Sequence, residues 1–178
     1  MLEPFRPYLS PSYRVKFATE AWEFDGARAL RRQVFCQEQG LFKIDDTDAD
    51  DHHATPIVAV NLIAGEPDEV VGSVRIHEEA PGTWWGSRLA VDQGFRRVGG
   101  LGAGLIRVAV GSARFLGCRE FYAHVQAQNR SLFERLHWAP LEEIELRGRA
   151  HWLMQADLDA YPAIAAPTLG LPVRARAA

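Results

Sequence analysis

The stretch that most constrains this chain is Arg97-Val98-Gly99-Gly100-Leu101-Gly102, because it joins two segments of different period. Before it, Thr83 to Val91 reads as a strand. After it, Val98, Leu101, Leu105, Val108, Ala109, Phe115 and Leu116 recur at intervals of mostly three and four, as on one face of a helix. A strand, a glycine-rich turn and a helix start together make an anion cradle. Backbone N–H groups point outward, no Cβ blocks close approach, and the helix dipole favours negative charge. The turn therefore predicts a phosphorylated ligand. The alternative is a plain helix N-terminus packed tightly on a sheet.

Composition narrows the class. The chain has 178 residues, enough for one domain with a sizeable core, and its 47% apolar content with 24% charged residues reads as globular. A formal net charge of −3 argues against nucleic acid as the partner. Cys36 and Cys118 show neither metal-type spacing nor a disulfide framework, which points to a reducing cytoplasm. The first residues carry charge and proline and do not read as a signal peptide. No apolar run approaches the roughly 20 residues that span a bilayer, so no membrane partner is expected.

Residues 1–11 hold three prolines and predict an extended lead-in. Tyr13 to Ala18 alternates as a first strand, and a helix is expected over 24–39 with Ala27, Leu30 and Val34 on one face. Ile57 to Ala64 and Val70 to His77 form a hairpin around Gly65-Glu66-Pro67-Asp68-Glu69. The strand over 84–91 leads into the glycine turn and a helix to 116, which Gly117 stops. Glu120 to Val125 is a further strand, Leu132, Phe133 and Leu136 mark a short helix, and strands follow at 138–146 and 150–158. The tail over 161–178, rich in Ala and Pro, is expected to lie loosely on the surface. The order β-α-β-β-β-α-β-α-β-β predicts an α+β domain over 12–160 with a mixed, largely antiparallel sheet. A dinucleotide fold is rejected, because strands and helices do not alternate regularly and the first glycine of G-x-G-x-x-G is missing.

These residues resemble the GNAT acetyltransferase superfamily. Its motif, Arg/Gln-x-x-Gly-x-Gly/Ala, is met by Arg97, Gly100 and Gly102, and Gln126 to Trp138 is similar to its second coenzyme A segment. Leu30 to Gly40, then Asp45, Asp46, Asp48 and His52, and later His151-x-x-Met154, resemble the ElaA-like branch. A bacterial subfamily associated with nitrogen-starvation gene clusters is similar too. The resemblance implies the GNAT acyl-CoA N-acyltransferase fold, acetyl-CoA as co-substrate, no metal, and a small-molecule amine as acceptor. It leaves a homodimer open.

It also implies a placement for the cofactor. The N–H groups of Val98, Gly99, Gly100, Leu101, Gly102 and Ala103 would wrap the pyrophosphate, with Arg96 or Arg97 adding positive charge. The pantetheine arm would run along Leu89, Ala90 and Val91 as an added strand does, and a backbone N–H here, assigned to Ala90, would polarise the thioester carbonyl. Losing one such donor typically costs about 3–4 kcal/mol. Asn129 would contact the arm, its alternative role being a turn or helix cap. Phe133 stands where the family often has a tyrosine acid, and phenylalanine has no proton to give. Tyr122 and Cys36 are substitutes without a motif behind them. His137, in place of a common glycine nearby, reads as a packed or surface residue.

An amine must lose a proton before or during attack, and the base candidates are Glu38, Glu78, His77 and His52. Glu38 lies in the Phe-x-x-Glu-Gln element of the substrate-side helix; its alternative is a polar residue at the helix end. Glu78 and His77 end the third strand. The stretch Asp45 to His53 could hold a cationic amine or a metal, but the EF-hand spacing fails, and a solvated loop is expected. Alternation sends Trp84 and Trp85 to opposite faces, one free to line an acceptor pocket. The leading expectation is direct acetyl transfer to an amine. The alternative is a non-catalytic acyl-CoA-binding or sensing protein, suggested by Phe133. A third reading, acyl-homoserine-lactone synthase chemistry, shares the fold and an Arg-x-x-Val-Phe start, but the glycine motif and 126–138 fit acetyltransferases better.

Overall fold

The computed structural model describes residues 9–176, so most of the expected lead-in over 1–11 lies outside the described residues. The strands are β1 (Ser12–Phe17), β2 (Thr55–Ile63), β3 (Glu66–Ala80), β4 (Thr83–Val91), β5 (Glu120–Gln126), β6 (Trp138–Leu146), β7 (Arg149–Ala156) and β8 (Leu171–Arg174). The α-helices are α1 (Ala21–Arg31), α2 (Leu101–Phe115) and α3 (Arg130–Arg135). One sheet runs β6-β7-β5-β4-β3-β2-β1-β8. Among the described residues only β4 and β5 pair in parallel; the other pairs are antiparallel. The expected α+β order is present, with β8 added at the end. Among the described residues no helix is long and apolar enough to cross a membrane.

Helices cover both faces of the central strands, which explains the continuous apolar run Ile57-Val58-Ala59-Val60 in β2. Ile57 and Ala59 face α2 and pack in one core with Leu105, Val108 and Val15. Val58 and Val60 face α1 and pack with Ala27. Glu20 and Glu23 form a capping box at the start of α1, and buried Glu23 is met by Lys16 Nζ at 2.6 Å. The helix then widens into a π-helical segment, Arg32–Glu38. Such segments often occur at functional sites. Here it leads the chain to Gln39, Leu41 and Phe42, which line a cavity beside the sheet.

The tail departs from expectation. Residues 171–174 pair with the free edge of β1 rather than lying loose. Two glycines of α2 permit this. A Cβ at Gly104 would lie 2.8 Å from Val173 Cγ2, and one at Gly111 2.7 Å from the Pro162 carbonyl. The Ile164 N–H donates to the Gly111 carbonyl at 3.0 Å. Ala and Pro content does not report such a docking groove on a distant helix.

Candidate active site

The sheet splits at its centre. β4 and β5 pair only through Thr83–Gly86 and Glu120–Ala123. Beyond that point β4 stays with β3, and the Ser73–Ala90 and Arg75–Ser87 pairings leave one extra residue on β4. Arg88, at φ 57°, takes up that bulge. The gap opens into a cavity of about 370 Å³, walled by Ser87, Arg88 and Leu89 on one side and His124, Val125 and Gln126 on the other. A smaller cavity of about 60 Å³, sharing Gly86 to Leu89, His124 and Phe133, continues toward Ile106 and Ala109 of α2. The gap therefore crosses the sheet.

The glycine turn lies at the start of α2. Gly99 and Gly100 have φ of 73° and 85°, which favour glycine, and Gly100 caps the helix. Its carbonyl takes the first helical bond, from Gly104 N–H, so the N–H groups of Leu101, Gly102 and Ala103 have no intrahelical partner. The side chains of Val98 and Leu101 are buried, leaving only their backbone to the turn. Arg96 is committed elsewhere, to Glu38 at 2.7 Å and to the Val91 carbonyl. Arg97 is exposed and free of ion pairs among the described residues. A Cβ on Gly102 would reach Leu132 Cδ2 of α3 only at 4.0 Å. The glycine turn and the segment over 126–138 are thus neighbours, and Asn129 and Phe133 from that segment both line the larger cavity.

At the α1 face the acidic stretch is not a solvated loop. Arg31 holds Asp46 at 2.7 Å and Asp51 at 2.7 Å. Arg75 holds Asp48 at 2.7 Å and Asp51 at 2.8 Å and donates to Ser87 Oγ. Arg88 holds Asp46 at 2.8 Å and Asp48 at 3.0 Å while stacking over Phe42. Hydrogen bonds from Arg75 hold the Asp48 carboxyl below the usual range. Burial alone would raise Asp51, but hydrogen bonds from Arg31 and Arg75 outweigh it and hold it well below that range. The arginines come from α1, β3 and β4, so the partners were hidden in distant elements. Opposite this network the β6–β7 turn closes the cavity: Arg147 stacks on Phe42, and Arg149 donates to the Gln39 carbonyl.

The sequence-derived base candidates separate. Glu38 points to Arg96 and does not line the cavity. Glu78 lies on the opposite face of β3 and accepts from the Gly82 N–H at 2.8 Å; its neighbours His77 and Glu79 take the cavity face. His52 and Cys36 are also absent from the cavity wall, as is Tyr122, which packs on Trp85. Trp85 lines the cavity and Trp84 is core, the split that alternation predicts. Leu89 reaches the cavity, whereas Ala90 is buried against Leu30, Val34 and Phe35 and Val91 pairs with Gly72. Phe133 is buried edge-on to Trp138 at 5.0 Å between ring centroids.

His124 went unremarked in the sequence. It follows Ala123, the last β5 residue paired to β4, and packs 5.0 Å from Trp85. Partial burial and neighbouring His151 push its imidazole below the ordinary value. The alternation of Tyr122, His124 and Gln126 along β5 was the available signal. Burial also lowers His77.

Comparisons agree with this architecture. Residues 8–138 match the Acetyltransferase (GNAT) family. A candidate N-acetyltransferase from Lactobacillus plantarum has TM-score 0.72 at 20% identity, covering 82% of this chain and 98% of that one. ElaA of Escherichia coli gives 0.65 at 19%, covering 82% and 98%. An acyl-CoA N-acyltransferase from Pseudomonas aeruginosa gives 0.64 at 19%, covering 81% and 98%. No curated protein matches by sequence. With the family match spanning most of the chain and the split sheet beside its glycine turn, the chain belongs to the GNAT family and is an acyltransferase.

Proposed function

We propose that the protein transfers the acetyl group of acetyl-CoA directly to the amine of a small molecule. The observation that carries this reading is the gap between β4 and β5, which joins a cavity on the α1 face to the α2 side, where the glycine turn starts the helix. The pyrophosphate would sit on the N–H groups of 98–103, with Arg97 rather than ion-paired Arg96 as the free cation. The pantetheine arm would follow the β4 edge past Asn129 and Phe133. The Leu89 N–H, at the bulge and on the cavity wall, fits the oxyanion role better than that of Ala90.

The acceptor amine would enter from the Trp85 side. His124, at the point where the strands part, would take its proton, being neutral near pH 7 and facing the cavity. Attack forms a tetrahedral intermediate that expels the coenzyme A thiolate without a covalent acetyl-enzyme. We place the reaction in the cytoplasm, where Cys36 and Cys118, both free, stay reduced.

Titration calorimetry with acetyl-CoA is the first test, and absence of binding at millimolar cofactor overturns the reading. Thiol release across a panel of small amines is the second. Binding without turnover would instead favour a non-catalytic acyl-CoA sensor, the reading that buried Phe133, lacking a hydroxyl, supports.

A further inference from the structure

We propose that Asp50, His53 and His77 form a zinc site in the wall of the acceptor cavity. One donor atom from each of the three lies within 4.8 Å of the others. Both histidine Nε2 atoms stand 4.0 Å from Asp50 Oδ1, and the two rings meet edge-on with centroids 5.1 Å apart. Two imidazoles and one carboxylate are a donor set suited to zinc.

Two further observations leave this group open to a cation. His77 is 8% exposed, yet its Nδ1 has no hydrogen-bond partner, and its Nε2 is too far from Asp50 for a hydrogen bond. The Nε2, the nitrogen that faces Asp50, thus makes no hydrogen bond to a described residue and is available to a ligand. Asp50 is also the least engaged aspartate of the network. Asp46, Asp48 and Asp51 are held by arginines at 2.7–3.0 Å, whereas Asp50 meets Arg75 only at 3.8 Å. Its carboxylate remains available to a cation.

The geometry needs little adjustment. Zinc bonds of about 2.0–2.2 Å set tetrahedral ligand atoms roughly 3.4 Å apart. His77 is fixed in β3, while Asp50 and His53 are half-exposed, on and just after a short helical turn, Ala49–His52, and can close on it. Asp50 and His77 line the cavity, so an ion held by three protein ligands keeps a position open to it. That arrangement belongs to catalytic rather than structural zinc sites. The open position would take a nitrogen or oxygen donor of the acceptor.

The test uses the full chain, stripped of metal, titrated with zinc chloride by calorimetry and with cobalt(II) chloride by visible absorption. One equivalent of each is expected, with a cobalt spectrum typical of four-coordinate nitrogen–oxygen ligation. His53→Ala and Asp50→Asn should each weaken zinc binding at least tenfold; both residues are exposed enough to leave folding intact. His52→Ala is the control, since His52 lies outside the group, and it should bind as the parent does. Absence of stoichiometric binding overturns the site. So does binding that survives in both His53→Ala and Asp50→Asn, or that is lost equally in His52→Ala. Because no acetyl-CoA is present, the result is independent of the transferase reading.

Discussion

At the residue scale, two positions test the proposed cofactor binding and the proposed chemistry separately. Gly102 sits on the exposed side of the glycine turn, with ordinary helical backbone and no close neighbour for a Cβ. Gly102→Val should therefore fold with an unchanged thermal midpoint and bind acetyl-CoA at least tenfold more weakly, read by calorimetry. An unchanged affinity would move the phosphates elsewhere. His124 tests the chemistry. His124→Asn should lower the amine acetylation rate by roughly 10²–10⁴-fold while leaving acetyl-CoA affinity in place. The sign of the pH dependence follows from the lowered imidazole. In the parent the rate should fall as pH drops through a value below the ordinary 6.5 and stay flat above about 7. The variant should lose that limb.

At the element scale, the buried ion network ties α1, β3 and β4 to the loop before β2. Its arginines are satisfied only while the four segments are assembled. Arg31→Met would leave Asp46, whose side chain is 4% exposed, with half its partners. Breaking a buried pair in this way typically costs about 3–5 kcal/mol, measurable by urea unfolding. Acid should act similarly. Asp48 and Asp51 ionise below the usual range in the folded protein. Their stabilisation is thus complete above the ordinary carboxylate range and is lost as pH falls through the lowered values. Acid unfolding monitored by circular dichroism should have its midpoint below about pH 4, and Arg75→Met should shift it upward.

The same network marks how far the sequence could be read. Asp45 to Asp51 scans as a solvated charge run, because charge patterning shows signs along the chain and not partners across it. Arg31, Arg75 and Arg88 supply those partners from three separate elements. Glu78 and His77 differ in the same way. Both end a strand in sequence, but pairing with β4 fixes which face each occupies, and only His77 reaches the cavity.

At the scale of the whole molecule, β8 supports the glycine turn from behind. Val173 and Arg176 are the nearest neighbours of the positions where Gly100 and Gly99 would carry a Cβ, at 3.7 and 3.8 Å. Deleting residues 171–178 would uncover the β1 edge and the α2 groove around Gly104. Burying one Val or Leu side chain is worth about 1.5–3 kcal/mol, so a loss of a few kcal/mol in stability is expected, with weaker acetyl-CoA binding. Thermal unfolding and calorimetry on the truncated chain would check both; full stability and affinity would remove β8 from the site.

The sequence by itself determined the order of strands and helices, the glycine turn, and the opposite faces of Trp84 and Trp85. Each of these rests on local chemistry: periodicity, backbone freedom and alternation operate within a few residues. Only the tertiary structure decided where β4 and β5 part, that His124 rather than Glu38 or Glu78 faces the gap, that Asp46, Asp48 and Asp51 are paired with arginines, and that the tail covers the β1 edge. Those outcomes depend on strand register and on groups brought together across the fold, which no spacing along the chain records.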